Sequence, residues 1–178
     1  MLLIEDVNKS LEERLAALEY LQMLVEQFDN AVNMDRMSLW GRLLALLAEP
    51  EEKLRKACLW VVATCAQNNP EPQSALLAHG LLEKSFSILK EDPSMTVRHK
   101  AMHVISAMVQ HNQSVYDAFL LAGGWAQLED ILTTGDEGLY ARVQFFTASM
   151  VSEREAEVSD VIAEYPLLCA ALSKYAQE

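Results

Sequence analysis

His99 and His103 stand four residues apart in the stretch His99-Lys100-Ala101-Met102-His103. At that spacing one helix turn can offer two imidazoles to a single metal. No glutamate lies between them, however, and no third ligand follows at a recognisable distance, so the reading favoured is two ordinary histidines on a helix and no metal. Cys58 and Cys65 lie seven apart within apolar sequence, where thiols serve as small buried hydrophobes. With Cys169 they make an odd total of three, which suits reduced thiols better than a disulfide framework and points to a cytoplasmic setting. Gly123-Gly124 lacks the strand context of a phosphate loop, no Gly-x-Ser-x-Gly elbow is present, and no nucleophile is grouped with a base. The expectation is a protein that is not an enzyme and needs no cofactor.

Composition narrows the remaining classes. The 178 residues include 26 Asp plus Glu against 14 Lys plus Arg, for a formal net charge of −12. Such a surface disfavours sequence-independent contact with nucleic acid or anionic lipid and suits a basic or locally basic partner. Hydrophobic residues make up 51% of the chain, enough for a packed core rather than an acidic disordered tail. Six Gly, five Pro and 7% aromatics are few for an all-β domain. The opening Met1-Leu2-Leu3-Ile4 runs straight into Glu5 and Asp6, so no secretory leader is expected there. No stretch is apolar for the roughly 18 residues that a membrane span requires.

The elements that carry these residues are helices, and they repeat. Leu54, Cys58, Val61, Val62 and Cys65 mark one helical face, and Val97, Ala101, Val104, Ile105 and Met108 restate it 43 residues later. Leu139, Val143, Phe146, Thr147 and Met150 give a third copy, and Ala17, Leu21, Leu24, Val25 and Phe28 a fourth nearer the N-terminus. The breaks repeat as well. Gln67-Asn68-Asn69 aligns with Gln110-His111-Asn112, and Gly80 with Gly123, where a short helix should end in a left-handed residue. Ser10-x-x-Glu13 reads as a capping box opening the first long helix. In the first unit only a short stretch separates Phe28 from the helix containing Trp40. The period falls in the range of HEAT and armadillo units. The fold class expected is therefore all-α: one armadillo-like domain of about four repeats, roughly residues 11–50, 51–93, 94–136 and 137–178, wound into a right-handed superhelix with its long helices on the concave side.

Function then becomes a question of surface. Asn30, Asn68, Asn69 and Asn112 recur at long-helix ends, with Gln67 and Gln110 beside them. They read either as simple helix caps or as a polar ladder able to hydrogen-bond a partner. Armadillo proteins that hold extended basic peptides carry a Trp followed four residues later by Asn; here Trp60 is followed by Thr64, so that signature is absent. Most of Met23, Met34, Met37, Met95, Met102, Met108 and Met150 read as core filling.

The stretches Val25-Glu26-Gln27-Phe28-Asp29-Asn30-Ala31-Val32-Asn33, Leu39-Trp40 and Leu59 through Asn69, continued by Val97-Arg98-His99-Lys100-Ala101, Gln110-His111-Asn112 and Phe119 through Gly124, carry a further signal. This sequence resembles the armadillo-type nucleotide exchange factors of the heat-shock protein 70 chaperones, in particular their fungal cytosolic branch and its animal counterpart. The resemblance covers about Leu11 to Met150.

It implies a monomeric clamp whose concave face embraces one lobe of the chaperone's ATPase domain and loosens the nucleotide. By position, Ala31 would be a small residue where the first long helix approaches the chaperone, and Arg142 would reach an acidic or carbonyl-rich patch. Asp29, Asn30, Asn33, Gln67, Asn68, Asn69, Arg98, Lys100, Gln110 and Asn112 would join the same face. Family members carry a flexible N-terminal segment that acts on the chaperone's substrate-binding domain; its action is expected to be missing here. The alternative is an armadillo scaffold for another folded protein or peptide.

Overall fold

The computed structural model describes residues 2–176, and of Leu2 only the backbone. Among the described residues the chain is helical throughout, with no strand. It divides into two compact units at the Val115–Tyr116 bond.

The first unit opens with a single turn, α1 (Leu2–Glu5), and the long helix α2 (Leu11–Val25). At the start of α2, Ser10 Oγ accepts the Glu13 amide at 3.2 Å and a Glu13 carboxylate oxygen accepts the Ser10 amide at 3.0 Å, the expected capping box. Next come α3 (Phe28–Arg36), α4 (Trp40–Leu44) and a 3-10 turn over Ala45–Ala48. The stretch after Phe28 is thus a helix of its own, with Ala31 and Met34 buried. Then follow α5 (Glu52–Ala66), α6 (Pro70–Ala78), α7 (Leu81–Glu91) and α8 (Met95–Val109), and α9 (Gln113–Leu121) runs across the unit boundary. The long helices α2, α5 and α8 pack side by side, α7 lies against α8, and α3 lies against α6.

The repeated apolar faces of α5 and α8 form the core of this unit. Leu54, Cys58, Val61, Val62 and Cys65 are buried, and so are Val97, Ala101, Val104, Ile105 and Met108. Burial raises the Cys58 thiol and pushes Cys65 up to about 12, so both stay protonated and inert. Gly80 adopts φ +70°, a left-handed turn from α6 into α7 that any Cβ would strain.

The N-terminal copy is phased differently from the sequence expectation. On α2 the buried residues are Arg14, Leu18 and Val25, whereas Leu24 and Phe28 are 41% and 58% exposed. The five leucines of α2 spread over about half its circumference, so apolar spacing alone fits more than one face. Met34, Met102, Met108 and Met150 fill the interior, but Met23 and Met37 are exposed.

The second unit holds the rest of α9, then α10 (Gly124–Leu132), α11 (Glu137–Glu153), α12 (Glu155–Ile162) and α13 (Pro166–Tyr175). Its core is aromatic. The Phe119 ring meets Trp125 edge-on at 5.1 Å and Phe146 at 5.8 Å, which joins α9, α10 and α11. Leu139, Val143, Phe146, Thr147 and Met150 are all buried. Gly123, at φ +65°, makes the same left-handed entry into α10 that Gly80 makes into α7. The Glu129 carboxylate accepts the amides of Leu167 and Leu168 at 2.8 and 2.9 Å, satisfying the first turn of α13 after Tyr165-Pro166.

Candidate functional site: the long-helix face

The ends of α5 and α8 turn the same corner. Gln67 and Gln110 end their helices in extended backbone, at ψ 112° and 137°. Asn68 and His111 follow at φ +54° and +59°, a left-handed position that Asn and His tolerate better than most side chains. The third residue of each corner, Asn69 and Asn112, turns inward, at 5% and 8% exposure.

The inward asparagines are structural. Asn112 Oδ1 accepts the Val115 amide at 3.2 Å at the start of α9, and the Asn69 amide approaches the Phe28 carbonyl at 3.5 Å. Asn112 is in turn held by Gln73, which is fully buried on α6. The Gln73 amide donates to the Ala107 and Gln110 carbonyls at 2.9 and 3.0 Å, and its oxygen accepts from Asn112 at 3.1 Å. One side chain therefore satisfies two orphan carbonyls at the end of α8 and locks the corner. Gln73→Leu should cost about 2 kcal/mol by stranding these buried groups. Urea unfolding would show that loss, whereas unchanged stability would mean the corner is held elsewhere.

The remaining expected site residues separate by exposure. Gln67, Asn68, Asp29 and Asn30 are exposed, and Asn33 and Gln110 are half-buried. The Asn30 amide donates back to the Leu24 carbonyl at 2.8 Å, bracing the α2–α3 turn. Arg98 is likewise engaged, its Nε donating to the Leu89 carbonyl at 2.6 Å near the end of α7. Ala31 is 1% exposed on α3, which packs against α2, α5 and α6. As with Asn69 and Asn112, its side chain is occupied within the chain, because a short helix that covers its neighbours must turn its small residues inward.

Arg142 is exposed on α11 in the second unit and forms no hydrogen bond or ion pair among the described residues. Lys100 is half-buried on α8, with its ammonium 3.6 Å from the centre of the Trp60 ring on α5.

That contact exposes a feature missed in the sequence. Trp60 is 48% exposed and borders a groove of about 380 Å³ between α2 and α5. Leu15, Leu18, Glu19 and Gln22 line the α2 wall; Lys53, Lys56, Ala57 and Trp60 line the α5 wall. The signal was present as residues 53, 56, 57 and 60, spaced i, i+3, i+4 and i+7, which share one helix face. Thr64, one turn on, donates its hydroxyl to the Trp60 carbonyl at 3.1 Å and so offers no amide ladder. His99 and His103 occupy on α8 the places of Lys56 and Trp60 on α5, by the 43-residue repeat. Among the described residues no group of three or more His, Cys, Asp or Glu is placed to hold a metal ion. No helix among them is long and apolar enough to cross a membrane.

Comparison with known proteins identifies the lineage. A family model described as the SIL1/FES1/HPBP1 C-terminal domain matches residues 30–175, and one described as nucleotide exchange factor Fes1 matches residues 1–34. A protein of Schizosaccharomyces pombe named Hsp70 nucleotide exchange factor fes1 is 34% identical over 154 residues, covering 85% of this chain and 53% of that protein. Counterparts of the same name in Eremothecium gossypii and Mycosarcoma maydis are 32% and 33% identical, covering 99% and 82% of this chain. The match takes in 63% and 37% of those two proteins, so the chain spans only part of its relatives' length. Two solved designed armadillo repeat proteins, YIII(Dq.V1)4CPAF in complex with peptide (KR)4 and YIII(Dq)4CqI, superpose with TM-scores of 0.79 and 0.78. Each superposition covers 97% of this chain and 71% of the designed one at 20% identity, which establishes an all-α armadillo fold. With that fold and a family match from residue 30 to 175, the chain belongs to the SIL1/FES1/HPBP1 family.

Proposed function

We propose that this chain is a nucleotide exchange factor for a cytoplasmic heat-shock protein 70 chaperone, acting by binding and not by chemistry. The observation that carries the reading is the family match over residues 30–175, joined by relatives named Hsp70 nucleotide exchange factors. Its mechanism is a coupling free energy. A monomer that grips the ATPase domain better when the nucleotide cleft is open must, by linkage, weaken ADP binding by the same factor. ATP then enters and the chaperone releases its client. The buried, protonated thiols of Cys58 and Cys65 fit a reducing cytoplasm.

The partner-facing residues proposed are those with side chains in reach: Asp29, Asn33, Gln67, Asn68 and Lys100 in the first unit, and Arg142 in the second. The test is release of labelled ADP from an isolated heat-shock protein 70 ATPase domain. Acceleration of about tenfold is expected, a typical allosteric coupling. A release rate that does not change with saturating protein rejects the reading.

A further inference from the structure

The groove between α2 and α5 runs against the charge of the molecule. The chain carries a net −12, yet Lys53 and Lys56 line one wall of this groove, and Lys100 lies over its Trp60 rim. Lys53 and Lys56 are exposed and form no ion pair or hydrogen bond among the described residues, although acidic side chains outnumber basic ones. Cations left without intramolecular partners on an acidic protein are available to an external carboxylate. The floor between the walls is apolar, made by Leu15, Leu18 and Ala57 beside the half-exposed Trp60. A large aromatic at the rim of an apolar groove, ringed by charges, has the anatomy of an interface anchor. The α2 wall bears Glu19, which repels a carboxylate from that side and fixes the orientation of whatever binds.

We infer that this groove takes an acidic surface segment of the chaperone, with an apolar side chain seated against Trp60 and its carboxylates on Lys53, Lys56 and Lys100. The inference rests on the exchange-factor reading and names residues and partner chemistry that the reading leaves open. Lys100 has two functions in it. It meets the partner's carboxylate, and its contact with Trp60 holds the ring at the groove edge, ready to receive the apolar side chain.

Binding of the full chain to intact heat-shock protein 70, measured at two ionic strengths alongside ADP release, tests the inference. Lys53→Glu/Lys56→Glu is expected to bind about tenfold or more weakly at about 0.05 M salt, and the deficit is expected to shrink at about 0.3 M as charges are screened. Trp60→Ala is expected to lose about tenfold at both salts, because its contribution is apolar. Lys84→Glu/Lys90→Glu on α7 makes the same change in net charge away from the groove and is expected to bind like wild type. All four proteins should remain folded at the assay temperature by circular dichroism, since the altered side chains are exposed or half-exposed and a contact such as that of Lys100 with Trp60 is worth about 0.5–1 kcal/mol. Wild-type exchange with an unaltered Lys53/Lys56 variant and an unaltered salt slope overturns the inference alone. A wild-type chain that neither binds the chaperone nor speeds ADP release overturns the exchange reading, and this inference with it.

Discussion

Arg55→Met should lower the free energy of unfolding by about 3–5 kcal/mol, the scale for removing one partner of a buried ion pair. Arg55 and Asp92 have side chains only 9% and 6% exposed. The guanidinium meets the carboxylate through two parallel bonds, Nε to Oδ2 at 2.8 Å and Nη2 to Oδ1 at 2.9 Å. Nη1 also donates to the Glu49 and Pro50 carbonyls at 2.9 and 2.8 Å, so one side chain ties the approach to α5 to the loop between α7 and α8. Met fills similar volume but leaves the Asp92 carboxylate buried with the Ser94 amide, at 2.9 Å, and the more distant charge of Arg98 to compensate it.

The loss has a pH signature. Burial raises the Asp92 pKa, but the bonds from Arg55 and the Ser94 amide outweigh it and hold the carboxyl below its ordinary value of 3.8. A group with a lowered folded pKa contributes stability that is complete above its unfolded value and disappears as pH falls through the folded one. The wild-type advantage over Arg55→Met should therefore be full at neutral pH and shrink below about pH 4. Urea unfolding at several pH values would measure it. A difference that is constant down to pH 3 would show that Asp92 does not titrate against Arg55.

The sequence disclosed core and punctuation far better than surface. The faces from Leu54 to Cys65, Val97 to Met108 and Leu139 to Met150 were legible because burial demands the same apolar spacing in each long helix, and all are buried. Gly80 and Gly123 were legible because a left-handed turn restricts residue type. The corner amides were not. Gln67, Asn68 and Asn69 look equivalent as letters, yet the backbone turns Asn69 inward and Asn68 outward. Gln73, the residue that holds the second corner, lies in another helix and carries no local mark. Lys53 and Lys56 share a helix face, but only the wall of α2 opposite them makes their spacing part of a groove. The phase of α2 failed for a related reason, since a leucine-rich helix fits several faces and neighbouring helices choose between them.

Ala31→Arg is the variant in which the surface and core readings of one residue make opposite predictions. A small residue at a contact face would tolerate Arg in the free protein and lose only the partner. The structure instead buries Ala31 at 1% exposure on α3, beside Met34 at 2%, within a helix packed on α2, α5 and α6. An arginine there must force those helices apart or bury a guanidinium without a carboxylate, at a cost of about 3–5 kcal/mol. At roughly 2–4 °C per kcal/mol for a chain of this size, the melting temperature should fall by about 6–20 °C. Chaperone binding should then follow the folded fraction: weak near the new midpoint and recovered on cooling below it. Circular dichroism melting and a binding titration at two temperatures separate the cases. A variant that melts like wild type yet fails to bind at any temperature would mean that α3 can turn residue 31 outward, and that the contact itself depends on a small side chain there.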